Sequence, residues 1–355
     1  MSHSERVLVA MSGGVDSSAT ALLLQQQGYS IAGGTMILYT ENEQSERPCG
    51  TAENIHDAQA VCQKLGIQHM TYDFTDLFRH EVIDRFAQQY ACGLTPNPCV
   101  DCNRHLKFGA LLEAARRDGF DCIATGHYAR IEYSDAYQRW VLKKGAVPAK
   151  DQSYVLYNMS QDELSHTLLP LGGFEKQEIR TVAEQNGLVN ARKKDSQDIC
   201  FIPDGDHGKF LCEHCGLHAV PGDFIDKNGT VLGQHRGILY YTVGQRRGLG
   251  ISADRRLYVT DKNAQTNTVT VGYEEDLMCT EFQVDTLNWI AWETVTQPIR
   301  CAVRTRYHSE ETPAELIPQG ERVLVKLEHP QRAVSPGQAA VFYDGDIVLG
   351  GGTIR

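Results

Sequence analysis

The sequence predicts an α/β protein in which a doubly wound parallel-sheet domain is followed by a small central domain and a C-terminal β-barrel. Three observations predict this order. Short β-branched runs alternate with segments of helical periodicity over about the first 165 residues. Glycine and proline punctuate the middle of the chain, and apolar and polar residues alternate with a period close to two from about residue 255 onward.

The N-terminal elements follow from these alternating periodicities. Residues 6–10 form a β-branched run that predicts a strand, and residues 15–27 show helical spacing that ends at Gly28. The same criteria predict strands over 30–39, 68–72 and 121–125 and helices over 52–65, 76–90 and 106–117. Strands that alternate with helices form a parallel sheet with crossover helices, so we expect a doubly wound arrangement.

The later elements are predicted in the same way. A further helix is expected over 176–186. Alternation then predicts strands over 257–260, 268–271, 300–304, 322–326 and 339–343. Asp344-Gly345 is typical of a hairpin turn between two strands. We therefore expect a small all-β barrel at the C-terminal end.

Composition places the chain among globular proteins. Its 355 residues suffice for two or three domains, and 41% hydrophobic with 22% charged residues argues against disorder and coiled coils. No stretch approaches the roughly 20 apolar residues that span a bilayer. The polar N-terminus lacks the pattern of a signal peptide. These features predict a soluble, cytoplasmic protein with no membrane partner.

The net charge of −11 gives no overall electrostatic signature of nucleic-acid binding. The charge is uneven, because only residues 206–272 carry more basic than acidic side chains, with 8 against 6. The candidate polyanion contacts are the clusters Arg192-Lys193-Lys194, Arg246-Arg247, and Arg304 with Arg306. A solvated surface is the alternative interpretation of each cluster.

The eleven cysteines do not indicate a disulfide framework, because their number is odd and no secretory signal precedes them. They indicate thiols in a reducing compartment. Two pairs stand out by their C-x-x-C spacing, Cys99 with Cys102 and Cys212 with Cys215.

Residues 12–18, Ser-Gly-Gly-Val-Asp-Ser-Ser, lie between the first predicted strand and the first predicted helix. Backbone N–H groups and the helix dipole form an anion site at such a junction, and glycine lets the backbone approach the anion closely. The lysine of a Walker A loop is missing, and the spacing is not G-x-G-x-x-G. The alternative is a tight turn whose Asp or Ser caps the helix.

This segment resembles the PP-loop of the ATP pyrophosphatases, enzymes that cleave ATP to AMP and pyrophosphate. The resemblance implies a PP-loop, Rossmann-like domain that binds ATP, with Asp16 placed to help position Mg²⁺. Met36 and Gly126 end predicted strands, where ligands bind on this fold. The candidate ATP-binding residues are Ala10, Met11, Ser12, Gly13, Gly14, Val15, Asp16, Ser17, Met36 and Gly126.

Two cysteines are predicted to be reactive thiols. Residues 95–103, Thr-Pro-Asn-Pro-Cys-Val-Asp-Cys-Asn, favour a loop because prolines and asparagines interrupt helices and central strands. This loop places Cys102 before a helix that starts near Arg104, and a helix N-terminus beside basic side chains lowers the pKa of a thiol. Cys200 follows the basic pair Lys193-Lys194 in another predicted loop.

The order and spacing of eight motifs resemble the bacterial tRNA-specific 2-thiouridylase family over essentially the whole chain. The motifs are 12–18, Thr95-Pro-Asn-Pro98 with Cys102-Asn103, Ala124-Thr-Gly-His-Tyr128, Lys150-Asp-Gln-Ser-Tyr154, Lys194-Asp-Ser196 with Ile199-Cys-Phe-Ile202, Gly244-Gln-Arg-Arg-Gly-Leu-Gly250, Arg304-Thr-Arg-Tyr307 and Pro336-Gly-Gln338. The resemblance implies ATP-dependent thiolation at carbon 2 of the wobble uridine in tRNAs for Lys, Glu and Gln. It also implies a catalytic domain over 1–205, a tRNA-binding central domain over 206–272 and the barrel over 273–355.

The same resemblance implies roles for individual residues. Cys200 would receive persulfide sulfur from a sulfur carrier protein or a cysteine desulfurase, and Cys102 would be the partner catalytic thiol. ATP would adenylate the uridine O2. The sulfur on Cys200 would displace AMP, either directly or as hydrosulfide released when a Cys102–Cys200 disulfide forms. The implied tRNA-binding residues are Asn97, Pro98, Cys99, His127, Lys150, Asp151, Gln152, Arg306, Tyr307 and Gln338.

Position 99 departs from the simplest two-cysteine pattern. An iron–sulfur cluster on Cys99, Cys102 and Cys200 would change the path of the sulfur. Zinc on the two C-x-x-C pairs is a second alternative, although their separation far exceeds that of a zinc ribbon. Cys212 and Cys215 lie outside the eight motifs named above.

Two other functions remain open at this point. A PP-loop amidotransferase or ligase that acts on a small molecule would need a nitrogen-donor site and neither Cys102 nor Cys200. A zinc-dependent RNA-binding module without catalysis would leave residues 12–18 unexplained.

Overall fold

The computed structural model describes residues 5–39, 52–193, 199–202 and 204–355. The strands are β1 (Arg6–Ala10), β2 (Ser30–Ile37), β3 (His69–Asp73), β4 (Cys122–Ala124), β5 (Ala129–Ser134), β6 (Arg139–Lys144), β7 (Thr167–Leu168), β8 (Gly222–Ile225), β9 (Val231–His235), β10 (Tyr258–Asn263), β11 (Thr268–Gly272), β12 (Met278–Trp289), β13 (Ile299–Arg304), β14 (Thr312–Gln319), β15 (Arg322–Arg332), β16 (Ala339–Asp344) and β17 (Ile347–Ile354). The Lys194-Asp-Ser196 motif lies outside the described residues.

Helices connect these strands. The α-helices are α1 (Val15–Gln26), α2 (Ala52–Leu65), α3 (Thr75–Phe78), α4 (Arg85–Ala91), α5 (Pro98–Asp101), α6 (Leu111–Arg117), α7 (Gln161–Ser165), α8 (Lys176–Gln185) and α9 (His207–His214). Two π-helical segments join α3 to α4 and α5 to α6, over Arg79–Asp84 and Cys102–Ala110. Short 3₁₀ turns cover Pro148–Lys150, Ser153–Leu156, Ile238–Tyr240 and Glu274–Leu277.

The N-terminal domain is built on a parallel sheet of order β3-β2-β1-β4-β7. Successive side chains of a strand point to opposite faces, and the central strand β1 buries both. Leu8 packs in one apolar cluster with Leu111 of α6. Val7 packs on the other face, in a cluster with Leu22 of α1 and Val61 of α2. Helices therefore cover both faces, as the doubly wound prediction requires.

The order of this sheet locates its ligand-binding crevice. The chain leaves β1 through α1 to β2 on one side, whereas β4 lies on the other side of β1. Ligands on such sheets bind outside the carboxyl ends of the strands where the order reverses. The segment after β1 begins at Met11 and the segment after β4 begins at Thr125, so both contribute to one crevice.

The prediction of a loop over 95–103 is wrong from Pro98 onward. A helical segment runs without a break from Pro98 to Arg117, and it includes Cys102 in its second turn. Proline is tolerated at the first position of a helix, where its missing N–H would have no partner. The side-chain oxygen of Asn97 accepts a hydrogen bond from the Cys99 N–H at 3.1 Å and caps the helix.

The central domain contains a four-stranded sheet of order β10-β11-β8-β9. Its core includes the fully buried side chains of Phe224, Val259 and Val269. Helix α9 precedes this sheet and packs on the N-terminal domain, where Phe210 of α9 joins the cluster that contains Phe78. The central domain is thus in direct contact with the N-terminal domain.

The C-terminal domain is a closed antiparallel barrel of six strands in the order β12-β15-β14-β13-β16-β17, closed by pairing of β12 with β17. Strand β17 also pairs with β6, so the β5–β6 hairpin extends the barrel sheet. Residues 129–144, which the periodicity assigned to the doubly wound region, therefore belong to the barrel sheet. The Asp344-Gly345 turn joins β16 to β17 as predicted.

The predicted order of a doubly wound domain, a small central domain and a C-terminal barrel is confirmed. The described part of the chain contains no helix with the length and apolarity that a bilayer crossing requires.

Candidate active site

The segment after β1 folds back on itself through its serines. The Ser12 N–H donates a hydrogen bond to Ser17 Oγ at 3.2 Å, and the hydroxyls of Ser17 and Ser18 both donate to the Gly14 carbonyl oxygen at 3.0 Å. Gly14 is the N-cap residue of α1 and contributes no side-chain cap. The first turn of α1 therefore keeps backbone N–H groups for an anion, which favours the anion site over the simple capped turn.

Close contacts with neighbouring segments leave no room for a side chain at Gly13 or Gly126. Gly13 has a φ of +72°, and a side chain there would collide with the backbone oxygen of Asn54. A Cβ on Gly126 would lie 2.9 Å from the Cβ of Asp16. The two segments that follow β1 and β4 are therefore in contact at Asp16, as the order of the sheet requires.

Asp16 lies at the centre of an ion-paired cluster. The Lys176 ammonium lies 2.8 and 2.7 Å from its two carboxylate oxygens, and the Tyr128 hydroxyl donates to Oδ1 at 2.8 Å. The Lys176 side chain is 12% exposed and that of Asp16 is 30% exposed. Sequence reasoning missed Lys176, because the only local signal was its position at the start of the predicted helix 176–186.

Two further groups support the loop. The buried Asn190 amide donates to the carbonyl oxygen of Gly13 at 3.0 Å and to Ser18 Oγ at 2.8 Å. The Lys193 ammonium lies 2.7 Å from the side-chain oxygen of Asn54. Sequence reasoning also missed Asn190. It lies 177 residues from Gly13, and no local pattern relates the two.

The sequence predicts that Asp16 helps to position Mg²⁺. Both oxygens of the carboxylate already accept hydrogen bonds from Lys176 and Tyr128. Among the described residues, no three His, Cys, Asp or Glu side chains come together as metal ligands. The role of Asp16 in positioning Mg²⁺ stays a prediction, and Lys176 provides the positive charge beside this carboxylate in the structure.

The cysteines were also considered above as ligands of an iron–sulfur cluster or of zinc. Over the described ranges, Cys99, Cys102 and Cys200 do not form a metal-binding group, nor do the two C-x-x-C pairs. The thiols as arranged fit neither an iron–sulfur cluster nor zinc, and no step below is assigned to either.

The two predicted catalytic cysteines pack against one apolar cluster. Cys102 and Cys200 both contact the cluster that contains Tyr39, Phe78 and Phe201. The Tyr39 hydroxyl lies 3.7 Å from the sulfur of Cys200. Phe201, adjacent to Cys200, is fully buried and makes an edge contact with Phe78, with ring centroids 5.9 Å apart. Two cysteines that lie 98 positions apart in the chain thus pack against the same apolar cluster.

The basic surroundings of Cys200 stay a prediction. The ammonium of Lys193, one member of the predicted basic pair, lies 2.6 Å from the carboxylate of Asp57 on α2. Lys194 lies outside the described residues.

Met36 contacts the same apolar cluster as Cys102 and Cys200. It lies near the end of β2, next to β1 in the sheet. The ATP-binding roles of Ala10, Met11, Val15 and the rest of the predicted set stay predictions.

Some of the predicted tRNA-binding residues come together at the surface. Cys99 is exposed. Tyr307 of the barrel lies near it, and burial together with the nearby Asp151 carboxylate and Cys99 raises the pKa of the Tyr307 phenol. Gln152 is a neighbour of the same Tyr307 hydroxyl. Lys150 is exposed on the adjoining turn. These residues combine side chains of the first and last domains.

Others are held within the protein. Asp151 is 5% exposed, accepts hydrogen bonds from Ser153, and lies 3.0 Å from the Arg304 guanidinium. His127 contacts the Thr125 hydroxyl through Nδ1 at 2.7 Å, and burial, reinforced by the Lys107 charge, holds its pKa well below the usual range. His127 is therefore neutral at pH 7 and does not attract phosphate by charge.

Arg306 and Gln338 also make internal contacts. The Arg306 guanidinium donates to the carbonyl oxygens of Val243 and Ala333 at 2.9 and 2.6 Å. The Gln338 amide donates to the Thr95 carbonyl oxygen at 2.7 Å. Their contacts to tRNA stay predictions, whereas their contacts to the protein were not foreseen.

Comparison with known proteins defines the family. Residues 5–204 match the model of the tRNA methyl transferase HUP domain, 208–273 that of the tRNA methyl transferase PRC-barrel domain, and 279–354 that of the aminomethyltransferase β-barrel domain. The chain is 47% identical over 355 residues to the tRNA-specific 2-thiouridylase MnmA of Clostridium beijerinckii, covering 99% of each chain. It is also 47% identical over 360 residues to the enzyme of the same name from Desulforamulus reducens, covering 100% of this chain and 98% of that one.

The chain belongs to the tRNA-specific 2-thiouridylase family. The resemblance inferred from the eight motifs is confirmed, as is the expectation of a sulfurtransferase enzyme. Membership covers all three domains, because the 2-thiouridylase relatives align over nearly their full lengths.

Solved structures show more distant likenesses to this family member. The U34-tRNA thiolase NcsA from Methanococcus maripaludis with its [4Fe-4S] cluster is 18% identical, with a TM-score of 0.35 over 60% of this chain and 67% of that chain. At this TM-score the likeness supports no conclusion about the cysteines of the 2-thiouridylase described here.

Proposed function

We propose that this protein uses ATP to replace the O2 oxygen of the wobble uridine by sulfur in tRNAs for Lys, Glu and Gln. The observation that carries this proposal is that an anion-binding loop and the cluster that contacts both cysteines lie at one end of the sheet. An anion-binding loop with an ion-paired Asp16 follows β1, and Cys102 and Cys200 share an apolar cluster with Met36 at the end of β2. The names of the full-length relatives support tRNA as the substrate.

The first step is activation of the base. The uridine O2 attacks the α-phosphorus of ATP, the bond from that phosphorus to the bridging oxygen breaks, and pyrophosphate leaves. The N–H groups at the start of α1 and the exposed Ser12 hydroxyl are the donors that the loop offers to the phosphates. Lys176 and Tyr128 hold the Asp16 side chain at the edge of this loop.

The second step replaces the adenylate by sulfur. The terminal sulfur of a Cys200 persulfide attacks carbon 2, and AMP leaves with the former O2. The Cys102 thiolate then attacks the Cys200 sulfur, which releases 2-thiouridine and forms a Cys102–Cys200 disulfide. In the second variant, Cys102 attacks first and hydrosulfide is the nucleophile. Both variants oxidise two thiols to a disulfide, so a thiol reductant must restore them before the next turnover.

The donor of the persulfide sulfur is a sulfur carrier protein or a cysteine desulfurase. Cys200 is half-buried and lies in a segment held by the buried Phe201. A thiolate attacks a persulfide through direct contact, so the donor must approach this segment before tRNA closes the site.

Binding of the base draws on two domains. A uridine in a folded anticodon must leave its stack to reach the loop after β1. Tyr307 offers an aromatic surface near Cys99, and Lys150 offers a positive charge to the backbone. Arg246 and Arg247 are exposed on the central domain and suit phosphate contacts.

An isotope experiment tests this function. A tRNA-Lys transcript carrying oxygen-18 at O2 of the wobble uridine is incubated with the protein, ATP, Mg²⁺ and a persulfide donor. We expect 2-thiouridine at that position and AMP that carries one oxygen-18 atom, because O2 leaves with the adenylate.

The matched control is a transcript labelled only at a uridine outside the anticodon, which should yield unlabelled AMP. Unlabelled AMP from the wobble-labelled transcript, with thiolation intact, would contradict adenylation of O2. Absence of thiolation in both transcripts would contradict the function itself.

A further inference from the structure

The backbone of the two-residue segment Leu94–Thr95 accepts hydrogen bonds from the central domain and from the C-terminal barrel. This segment lies within residues 92–97, which connect α4 to the helix that carries Cys99 and Cys102. The Lys262 ammonium of β10 donates to the Leu94 carbonyl oxygen at 3.2 Å, and the Gln338 amide donates to the Thr95 carbonyl oxygen at 2.7 Å. Lys262 belongs to the central domain and Gln338 belongs to the barrel domain, so both donors come from outside the N-terminal domain.

A third hydrogen bond completes the contact. The Thr95 N–H donates to the Pro336 carbonyl oxygen at 2.9 Å. The backbones approach closely here, since Gly337 has a φ of +91° and a Cβ on it would lie 2.9 Å from both Leu94 Cβ and the Thr95 nitrogen. Only glycine leaves room for this approach. The Thr95 peptide groups are thus bonded on both sides to the 336–338 turn.

The Lys262 side chain is buried at the interface between the central domain and the N-terminal domain. It is 8% exposed, and its ammonium lies 5.1 Å from the centre of the Tyr90 ring at the end of α4. Gly93 packs beside it, because a Cβ on Gly93 would lie 3.3 Å from the Lys262 carbonyl oxygen. A buried ammonium is costly unless it is paired. The hydrogen bond to the Leu94 carbonyl oxygen therefore offsets part of the cost of burying the Lys262 ammonium at this interface.

The 336–338 turn is itself connected to the central domain. Arg306 donates to Ser335 Oγ and to the carbonyl oxygen of Ala333, both at 2.6 Å, and to that of Val243 in the central domain at 2.9 Å. A continuous set of contacts therefore runs from the central domain through the barrel to Thr95. Two residues after Thr95, Asn97 caps the helix of Cys99 and Cys102.

We propose that Gln338 and Lys262 are positioning residues, which set the orientation of the Asn97–Cys102 turn by fixing the Leu94 and Thr95 carbonyl groups. This inference rests on the proposed function, in which Cys102 is a catalytic thiol. It assigns to the barrel and the central domain a second role besides contact with tRNA: they place the thiols relative to the base.

The test uses Gln338→Leu and Lys262→Met in the full chain. Each variant keeps the approximate size of the side chain and removes the donor. We expect kcat for thiolation to fall about 10- to 100-fold, because small displacements of reacting groups have effects of this size. The Kd for tRNA of Lys262→Met should stay within about twofold, since Lys262 contacts protein and has no predicted contact to tRNA. Lys262→Arg keeps a donor and should recover most of kcat.

A second measurement is independent of tRNA and ATP. The rates at which iodoacetamide alkylates Cys99 and Cys102 are followed by peptide mass spectrometry. We expect the two variants to change these rates at least about threefold. The helix that carries both thiols would lose the hydrogen bonds that fix the residues before its N-terminus. The controls are Gln319→Leu and Lys326→Met, both at exposed barrel positions, which should leave the rates unchanged.

The outcomes separate the roles. A raised Kd for tRNA with kcat intact would make Gln338 a tRNA contact and overturn the positioning role. Unchanged alkylation and unchanged kcat would overturn it as well. If Lys262→Met does not fold, Gln338→Leu at its half-exposed position decides alone. If the wild-type protein failed to thiolate tRNA, the proposed function would be wrong, whereas the alkylation rates would still report on positioning.

Discussion

Replacement of Cys200 by serine should reduce thiolation at least about 1,000-fold while pyrophosphate release in the presence of tRNA persists. Serine cannot carry a persulfide, so no sulfur reaches the activated base. The loop after β1, with Asp16 and Lys176, is unaffected because Cys200 packs on a different cluster from that loop. The measurement pairs nucleoside mass spectrometry with a pyrophosphate assay on the same reaction.

The matched control for Cys200→Ser is Cys279→Ser, at a half-buried cysteine of the barrel that has no proposed role. It should retain both activities. Loss of pyrophosphate release together with thiolation in Cys200→Ser would contradict the separation of the two steps. Retained thiolation would remove Cys200 from the sulfur path.

Asp16→Ala should abolish the ATP-dependent step, with pyrophosphate release reduced at least about 100-fold. The change removes the carboxylate that binds both Lys176 and Tyr128, so the polar groups beside the loop lose their arrangement. Lys176→Met acts on the other member of the same ion pair and should have an effect of similar size. ATP that carries phosphorus-32 in its γ-phosphate, followed to labelled pyrophosphate, provides the measurement.

Removal of one member of a buried ion pair also costs stability, about 3–5 kcal/mol where the pair is fully buried. Asp16 is partly exposed, so the loss should be smaller, and a thermal melt of each variant separates misfolding from loss of function. Asp16→Asn keeps an acceptor for Tyr128 and should fold best. Asp135→Ala, in an exposed turn, is the control. Normal pyrophosphate release by a folded Asp16→Ala protein would contradict the assignment of the loop.

The elements around the anion loop were predictable because their signals are local. Residues 6–10 and 15–27 alternate in the periods of a strand and a helix, and the structure has β1 over Arg6–Ala10 and α1 over Val15–Gln26. The helix around Cys102 was mispredicted because proline and asparagine were weighed as interruptions. At the first helical position and at the cap, these residues favour a helix.

The contacts that complete the site were not predictable, because they join distant parts of the chain. Lys176 lies 160 residues from Asp16, and Gln338 lies 243 residues from Thr95. Neither occupies a position whose local pattern specifies its partner. The pairing of the β5–β6 hairpin with β17 is of the same kind, since period-two alternation predicts a strand without its neighbour.

The proximity of Cys102 to Cys200 was implied only by resemblance to the family. In the structure both cysteines pack against the apolar cluster that contains Phe78 and Phe201. Apolar burial of Phe201 holds a segment that has little regular structure of its own. Burial of one aromatic side chain thus places the thiol beside it.

The central claim is that ATP drives transfer of sulfur to a tRNA uridine. The most direct test is mass spectrometry of nucleosides from unmodified tRNA-Lys incubated with this protein, Mg²⁺ and a sulfide source, with and without ATP. The account predicts 2-thiouridine only when ATP is present. Cleavage of ATP without a thiolated base would contradict it and would favour a PP-loop ligase with a small-molecule acceptor.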